Sequence, residues 1–280
     1  MPAMDDHASV STASSAPAAT VTVTPGERSV VFARIWHLVV ALLGTGSLVI
    51  GLTLAATEDG NGGAINGLVF SLSYFTVLSN ILVAVVTWSL VVRPDNDGRV
   101  FRWLRLTSLV MIVITGLVYA LVLAADADPT GWYVWSNLGY HYLVPWLSLA
   151  GFLLFGPRPR ITWDLVPKML IIPVIWLTYT LIHGAFLTTP PGYPAAEPLP
   201  PQHWYPYPFL DVGDPAALIP GMSIPGGYAG VMINIVLIII LGLLFAMAFL
   251  GLDRLLSRGQ QPTPLTGDDS GQADEPATAG

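Results

Sequence analysis

The sequence predicts an all-α, polytopic integral membrane protein with six transmembrane helices, and three observations carry that prediction. Hydrophobic residues make up 53% of the 280-residue chain, charged residues only 10%, and the mean hydropathy is +0.64. Soluble domains carry about a quarter charged residues, so this chain lacks the charge to build a water-facing surface. Six stretches are long and apolar enough to cross the hydrocarbon core, which takes about 20 residues of α-helix. All 11 Lys and Arg residues fall on one side of the resulting six-span arrangement.

Residues 1–28 are rich in Ser, Thr, Ala and Pro and lack the basic-then-apolar order of a signal peptide. They predict a disordered cytoplasmic tail. The membrane domain, 29–256, holds spans at 32–56, 68–92, 104–125, 137–155, 165–187 and 228–252. The fourth is the shortest, and Pro145 predicts a kink in it. The fifth contains Pro167 near its start and Pro173 inside, which predicts a bend. Neighbouring helices can satisfy the carbonyls that these prolines leave free. Residues 257–280 are polar and predict a second disordered tail. No internal repeat is visible.

The cations set the orientation. Arg28 and Arg34 precede or open the first span; Arg93, Arg99, Arg102 and Arg105 join the second to the third. Arg158, Arg160 and Lys168 join the fourth to the fifth, and Arg254 and Arg258 follow the sixth. The other three loops carry acids instead: Glu58, Asp59, Asp126, Asp128, Glu197, Asp211 and Asp214. The positive-inside rule then puts both termini in the cytoplasm of a cell-membrane protein. A net charge of −7 argues against a nucleic-acid partner. The absence of cysteine excludes disulfides, thiolate metal sites and cysteine nucleophiles. The expected partners are membrane lipids.

Two loops stand out. The outer loop 188–226 holds 11 of the 24 prolines and the run His203-Trp204-Tyr205-Pro206-Tyr207-Pro208-Phe209. It reads either as an interfacial aromatic belt or as a lid over an outward-facing site. In the loop at 157–160, alternating prolines predict an extended chain. Its Arg158 and Arg160 either hold lipid phosphates at the inner surface or serve only to set the topology.

Polar side chains inside spans need a partner or a cavity, so they mark candidate sites. On the second span Ser73, Thr76, Asn80 and Thr87 fall within an arc of about 60° at 100° per residue. Such residues can also simply bond back to their own helix. Asn137 and His141 are four apart on the fourth span and share a face. His183, near the outer end of the fifth span, reaches a depth similar to that of His141. A hydroxyl beside an imidazole can act as nucleophile and base for acyl transfer. Two imidazoles on facing helices, here His141 and His183, can instead ligate a haem. No charged residue at mid-span supports a proton pump or ion-coupled transporter.

Three blocks in order resemble the androgen-induced protein/androgen-dependent TFPI-regulating protein family. They are Tyr74-Phe75-Thr76, the spacing Asn137-x-x-x-His141-x-x-x-Pro145, and His183 followed by Trp204-Tyr205-Pro206-Tyr207-Pro208-Phe209. Pro157-Arg158-Pro159-Arg160 resembles the Pro-Arg hallmark of a bacterial six-helix group, the Pr-six-Pr family. The first resemblance implies a six-helix membrane hydrolase with an intramembrane Thr nucleophile, Thr76, and a His base, His141. Asn80, Asn137, His183, Trp204 and Tyr205 would then orient the base or bind a lipid-like ester. This chemistry calls for neither metal nor cofactor. The alternative is a non-enzymatic membrane protein, either a haem-binding electron carrier or a lipid-binding or transport scaffold.

Overall fold

The computed structural model describes residues 25–58, 63–125, 127–156, 158–186 and 203–258. Both expected tails, apart from their innermost residues, and the first half of the Pro-rich outer loop lie outside them. Among the described residues the chain is all-helical, and five helices are long and apolar enough to cross a membrane.

Helix α1 (Pro25–Thr57) begins earlier than expected, with proline in the first turn where no amide donor is required. The expected second span is not one helix. It divides into α2 (Ala64–Ser73) and α3 (Phe75–Val92) at Tyr74, whose backbone is extended (φ −76°, ψ 131°). Ser73 therefore belongs to a different helix from Thr76, Asn80 and Thr87, and the expected four-residue polar face is cut to three.

Helix α4 (Arg99–Val118) is the centre of the bundle: every residue from 106 to 116 is buried. Apolar character alone does not place it there, since a lipid-facing helix is equally apolar; the neighbouring helices enclose it on all sides. It ends in a π-helical turn, Tyr119–Leu123, closed by the Ala124 amide donating to the Tyr119 carbonyl at 2.8 Å.

The expected fourth span is helical but built from three pieces. They are α5 (Tyr133–Leu138), a π-helical turn (Gly139–Leu143) and α6 (Val144–Leu154). It is not one of the five long apolar helices, because Asn137, Tyr140, His141 and Tyr142 make its first half polar. The π-turn lies just ahead of Pro145, which has no amide for the His141 carbonyl and would crowd it in an α-helix. Gly116 lets α4 approach at this point; a Cβ there would lie 2.9 Å from Cβ of Pro145 and 3.2 Å from that carbonyl.

The fifth span consists of α7 (Leu165–Lys168) and α8 (Ile171–Phe186). The interruption at Met169 and Leu170 follows from Pro173, which cannot donate to Met169. The Trp103 indole donates to the carbonyl of Lys168 across this break at 2.8 Å. Helix α9 (Gly227–Ser257) completes the bundle and packs on α4.

Arg158 and Arg160 do not reach out to lipid, as one reading of their loop expects. Arg158 donates through Nη2 to the carbonyls of Phe152 and Leu153 at 2.6 and 2.7 Å. Arg160 donates to Phe155 and Phe152 at 2.8 and 2.7 Å. Both guanidiniums thus satisfy the orphan carbonyls at the end of α6. Asp253, fully buried on α9, accepts the Arg160 and Ile161 amides at 2.7 and 2.9 Å, and its second oxygen pairs with Arg160 Nε at 3.6 Å.

Candidate active site

The break at Tyr74 puts Thr76 in the first turn of α3, where backbone amides have no intrahelical acceptor. The Thr76 amide donates instead to the phenol oxygen of Tyr207 at 3.2 Å. Its carbonyl accepts from Ser79 Oγ and from Asn80 Nδ2, both at 2.9 Å. Asn80 also donates to the Tyr140 carbonyl at 3.4 Å, and Ser79 meets Thr115 Oγ1 at 2.9 Å. Asn80 therefore positions the backbone of Thr76 and ties α3 to the π-turn carrying His141. Thr87, further along α3, bonds back to the carbonyls of Val83 and Ala84 and takes no part.

The Thr76 hydroxyl lies 3.3 Å from Nε2 of His141, and Nδ1 of His141 lies 2.7 Å from Oδ1 of Asn137. With the Asn137 oxygen accepting, Nδ1 carries the ring proton and Nε2 presents its lone pair to the Thr76 hydroxyl. Tyr119, which opens the π-turn of α4, stacks on the imidazole at 3.7 Å between centroids and 10° between planes. The ring is therefore fixed by a hydrogen bond at one edge and by an aromatic face on one side.

The loop between α8 and α9 supplies a fourth group. Tyr207 OH is 3.4 Å from Thr76 Oγ1 as well as accepting from the Thr76 amide. Its ring stacks on Phe209 at 5.0 Å and meets Tyr74 and Trp176 edge-on. Burial pushes the phenol up to about 12, so it remains a protonated donor. The described part of the loop is folded into the bundle: Tyr207, Phe209, Leu210 and Leu218 pack with Val231 and Ile235 of α9. Asn234 on α9, fully buried, holds it there. Its Nδ2 donates to the carbonyls of Phe209 and Ala216, both at 2.9 Å, and its Oδ1 accepts the Leu218 amide at 3.0 Å.

Two cavities meet at this point. The larger, at the expected outer end and about 800 Å³, is lined by Thr76, Asn137, His141, Tyr207 and Trp204, and among the described residues its charged members are Glu58 and Asp128. The second, about 90 Å³, is an apolar slot between α4, α8 and α9, lined by residues such as Ile114, Met169, Trp176 and Ile238. Thr76, Tyr119, Leu123 and Tyr207 line both. Thr76 stands in the wall between a polar chamber and an apolar one.

Not every expected residue joins this group. His183 stacks on Tyr179, with 5.0 Å between centroids, and does not line the outer cavity. The similar depth expected from the sequence does not bring it to His141, because its side chain turns to Tyr179 on its own helix. Trp204 does line the cavity, edge-on to Phe70 and Tyr74. Tyr205 is turned away and lies against Gly184, where any Cβ would collide with its ring. Among the described residues, no group of three or more His, Cys, Asp or Glu side chains could hold a metal ion.

Tyr207 and Asn234 are the residues that sequence reasoning missed. The signal for Asn234 was present: it is the one amide side chain within the long apolar run of α9. Tyr207 lies in the aromatic run of the Pro-rich loop, but nothing there set it apart from Trp204 and Tyr205, since its partner Thr76 lies 131 positions away in the chain. Comparison with known protein families, characterised proteins and solved structures finds no match to this chain.

Proposed function

We propose that this protein is an integral membrane hydrolase with six transmembrane spans and both termini cytoplasmic, cleaving an ester bond in a lipid-like substrate. The observation that carries this reading is the continuous relay from Asn137 through His141 to the Thr76 hydroxyl, at the junction of a polar and an apolar cavity. A structural hydroxyl buried between helices has no use for such a junction. The order of the three sequence blocks supports the same reading, as the family they resemble uses a Thr/His pair.

Thr76 Oγ1 attacks the ester carbonyl as His141 Nε2 takes its proton. Negative charge collects on the carbonyl oxygen, and Tyr207 OH donates to it. The Tyr207 oxygen is already polarised by accepting the Thr76 amide. The imidazolium, steadied by Asn137, returns the proton to the departing alcohol as the carbon–oxygen bond breaks. Water then attacks the acyl-threonine with His141 again as base, releasing the fatty acid and restoring the hydroxyl. The apolar slot suits the acyl chain. The outer chamber, acidic and without a cation, suits a neutral alcohol portion better than an anionic one.

The six-span topology rests on the helical stretch 133–154, which is long enough at about 33 Å to cross the core. With it, all 11 cations fall on one side. A haem-binding carrier would need His141 and His183 to share a cavity, and only His141 lines it.

The test is hydrolysis of p-nitrophenyl acyl esters by the purified full-length protein. Thr76→Val and His141→Gln should each abolish turnover while the protein stays folded, and the double variant should be no worse than either, because the pair acts as a unit. A folded Thr76→Val protein that hydrolyses esters at the parental rate would remove the proposal.

A further inference from the structure

A third cavity, of about 60 Å³, lies at the arginine-rich end of the bundle and shares no lining residue with the other two. Its walls are mostly aliphatic, with His37, Arg102, Arg105, Ser148 and Arg160 among its polar members. Arg102 is engaged by Asp97 in a bidentate pair. Arg160 is spent on the α6 carbonyls and on Asp253. Arg105 is different. It sits over the ring of Phe101 at 5.8 Å, and among the described residues its guanidinium has no hydrogen bond and no carboxylate partner.

The charges do not balance. Arg102, Arg105, Arg158 and Arg160 stand against two carboxylates, Asp97 and Asp253. Arg105 and Arg160 converge on one spot: a Cβ at Gly156 would meet Nη1 of Arg160 and lie 3.5 Å from Nη2 of Arg105. Two guanidiniums brought to one half-buried spot repel unless anions balance both, and Asp253 pairs with Arg160 alone. The Ser148 hydroxyl adds a second, independent sign, since its oxygen is buried at the same cavity with no partner. Burial, with Arg105 and Arg158 alongside, pushes Arg160 down to about 9.

We propose that this cavity is a binding site for a phosphate group, held by the guanidinium of Arg105 with Arg160 beside it and the hydroxyl of Ser148. Phosphate carries up to two negative charges, which matches the net excess of two arginines over carboxylates at this end of the bundle, and its oxygens accept from the free guanidinium fork of Arg105. Its source is either free phosphate or the headgroup of an anionic lipid. The site is independent of the hydrolase reading.

The experiment uses the full-length protein, delipidated in detergent, with two probes: inorganic phosphate and short-chain dioctanoyl phosphatidic acid. Thermal melting and calorimetry are run against sodium chloride of matched ionic strength. Saturable binding of inorganic phosphate is expected, weakened about tenfold or more in Arg105→Gln, as loss of a charged hydrogen bond of at least ~1.4 kcal/mol predicts. Ser148→Ala, which keeps every cation, should weaken it less. Without phosphate, Arg105→Gln should melt no lower than the parent, because an unpaired cation has been removed. Binding of phosphatidic acid alone, with the same dependence on Arg105, would assign the site to a lipid headgroup. Binding of neither probe, or binding unchanged in both variants, would overturn the proposal.

Discussion

Replacing Tyr207 with Phe removes one oxygen and leaves the ring in its stack. That oxygen lies 3.2 Å from the Thr76 amide and 3.4 Å from the Thr76 hydroxyl. The ring contacts with Phe209, Tyr74 and Trp176, at 5.0 to 6.1 Å, do not depend on it. Two effects follow, and they separate by measurement. The Thr76 amide loses its acceptor, which costs about 1–3 kcal/mol of stability for a buried unsatisfied donor. The developing oxyanion loses a donor, which costs about 10²–10³ in kcat. KM should change little, because the bond to the oxyanion forms only as the reaction proceeds. Steady-state hydrolysis of p-nitrophenyl esters, paired with thermal melting in the same detergent, reads both. A folded Tyr207→Phe protein with kcat within a factor of two of the parent would refute the assignment of Tyr207 as the oxyanion donor.

Two further outcomes follow from the fold. Asn234→Ala breaks three hydrogen bonds that hold the outer loop to α9; at about 1 kcal/mol each it should lower the melting temperature by several degrees and reduce kcat as Tyr207 withdraws, and a melting temperature equal to the parent's would contradict the role given to Asn234. The cation asymmetry predicts that a cysteine at Thr130 reacts with an impermeant thiol reagent on intact cells while one at Asn96 does not, and the reverse pattern would invert the topology.

The elements most legible in the sequence were those governed by one-dimensional rules. Long apolar runs located α1, α4 and α9, and the four-residue spacing of Asn137 and His141 put their side chains on one face of a helix, where they do meet. Proline positions foretold interruptions in the fourth and fifth segments, although the π-turn before Pro145 is a softer response than a kink. What escaped was rotational and long-range. His183 was expected at the depth of His141, but it does not line the same cavity, and a single helix does not reveal which way it is rotated against its neighbours. The break at Tyr74 carries no glycine or proline to announce it, and it is held by tertiary contacts of the Tyr74 ring with Trp204 and Tyr207. The alternating prolines left Arg158 and Arg160 either holding lipid phosphates or only setting the topology; the uncapped carbonyls of α6 take both guanidiniums, and the buried Asp253 takes Arg160 as well.

The central claim is that the Thr76 hydroxyl is a nucleophile rather than a hydrogen-bonding group between helices. Labelling of the purified protein with a fluorophosphonate, followed by peptide mass spectrometry, tests it most directly, because the probe traps an activated hydroxyl as a stable adduct. A single adduct is expected on the peptide carrying Thr76, absent in Thr76→Val, strongly reduced in His141→Gln and weaker but present in Asn137→Ala. A protein that remains unlabelled, or whose label is unchanged in Thr76→Val, would contradict it.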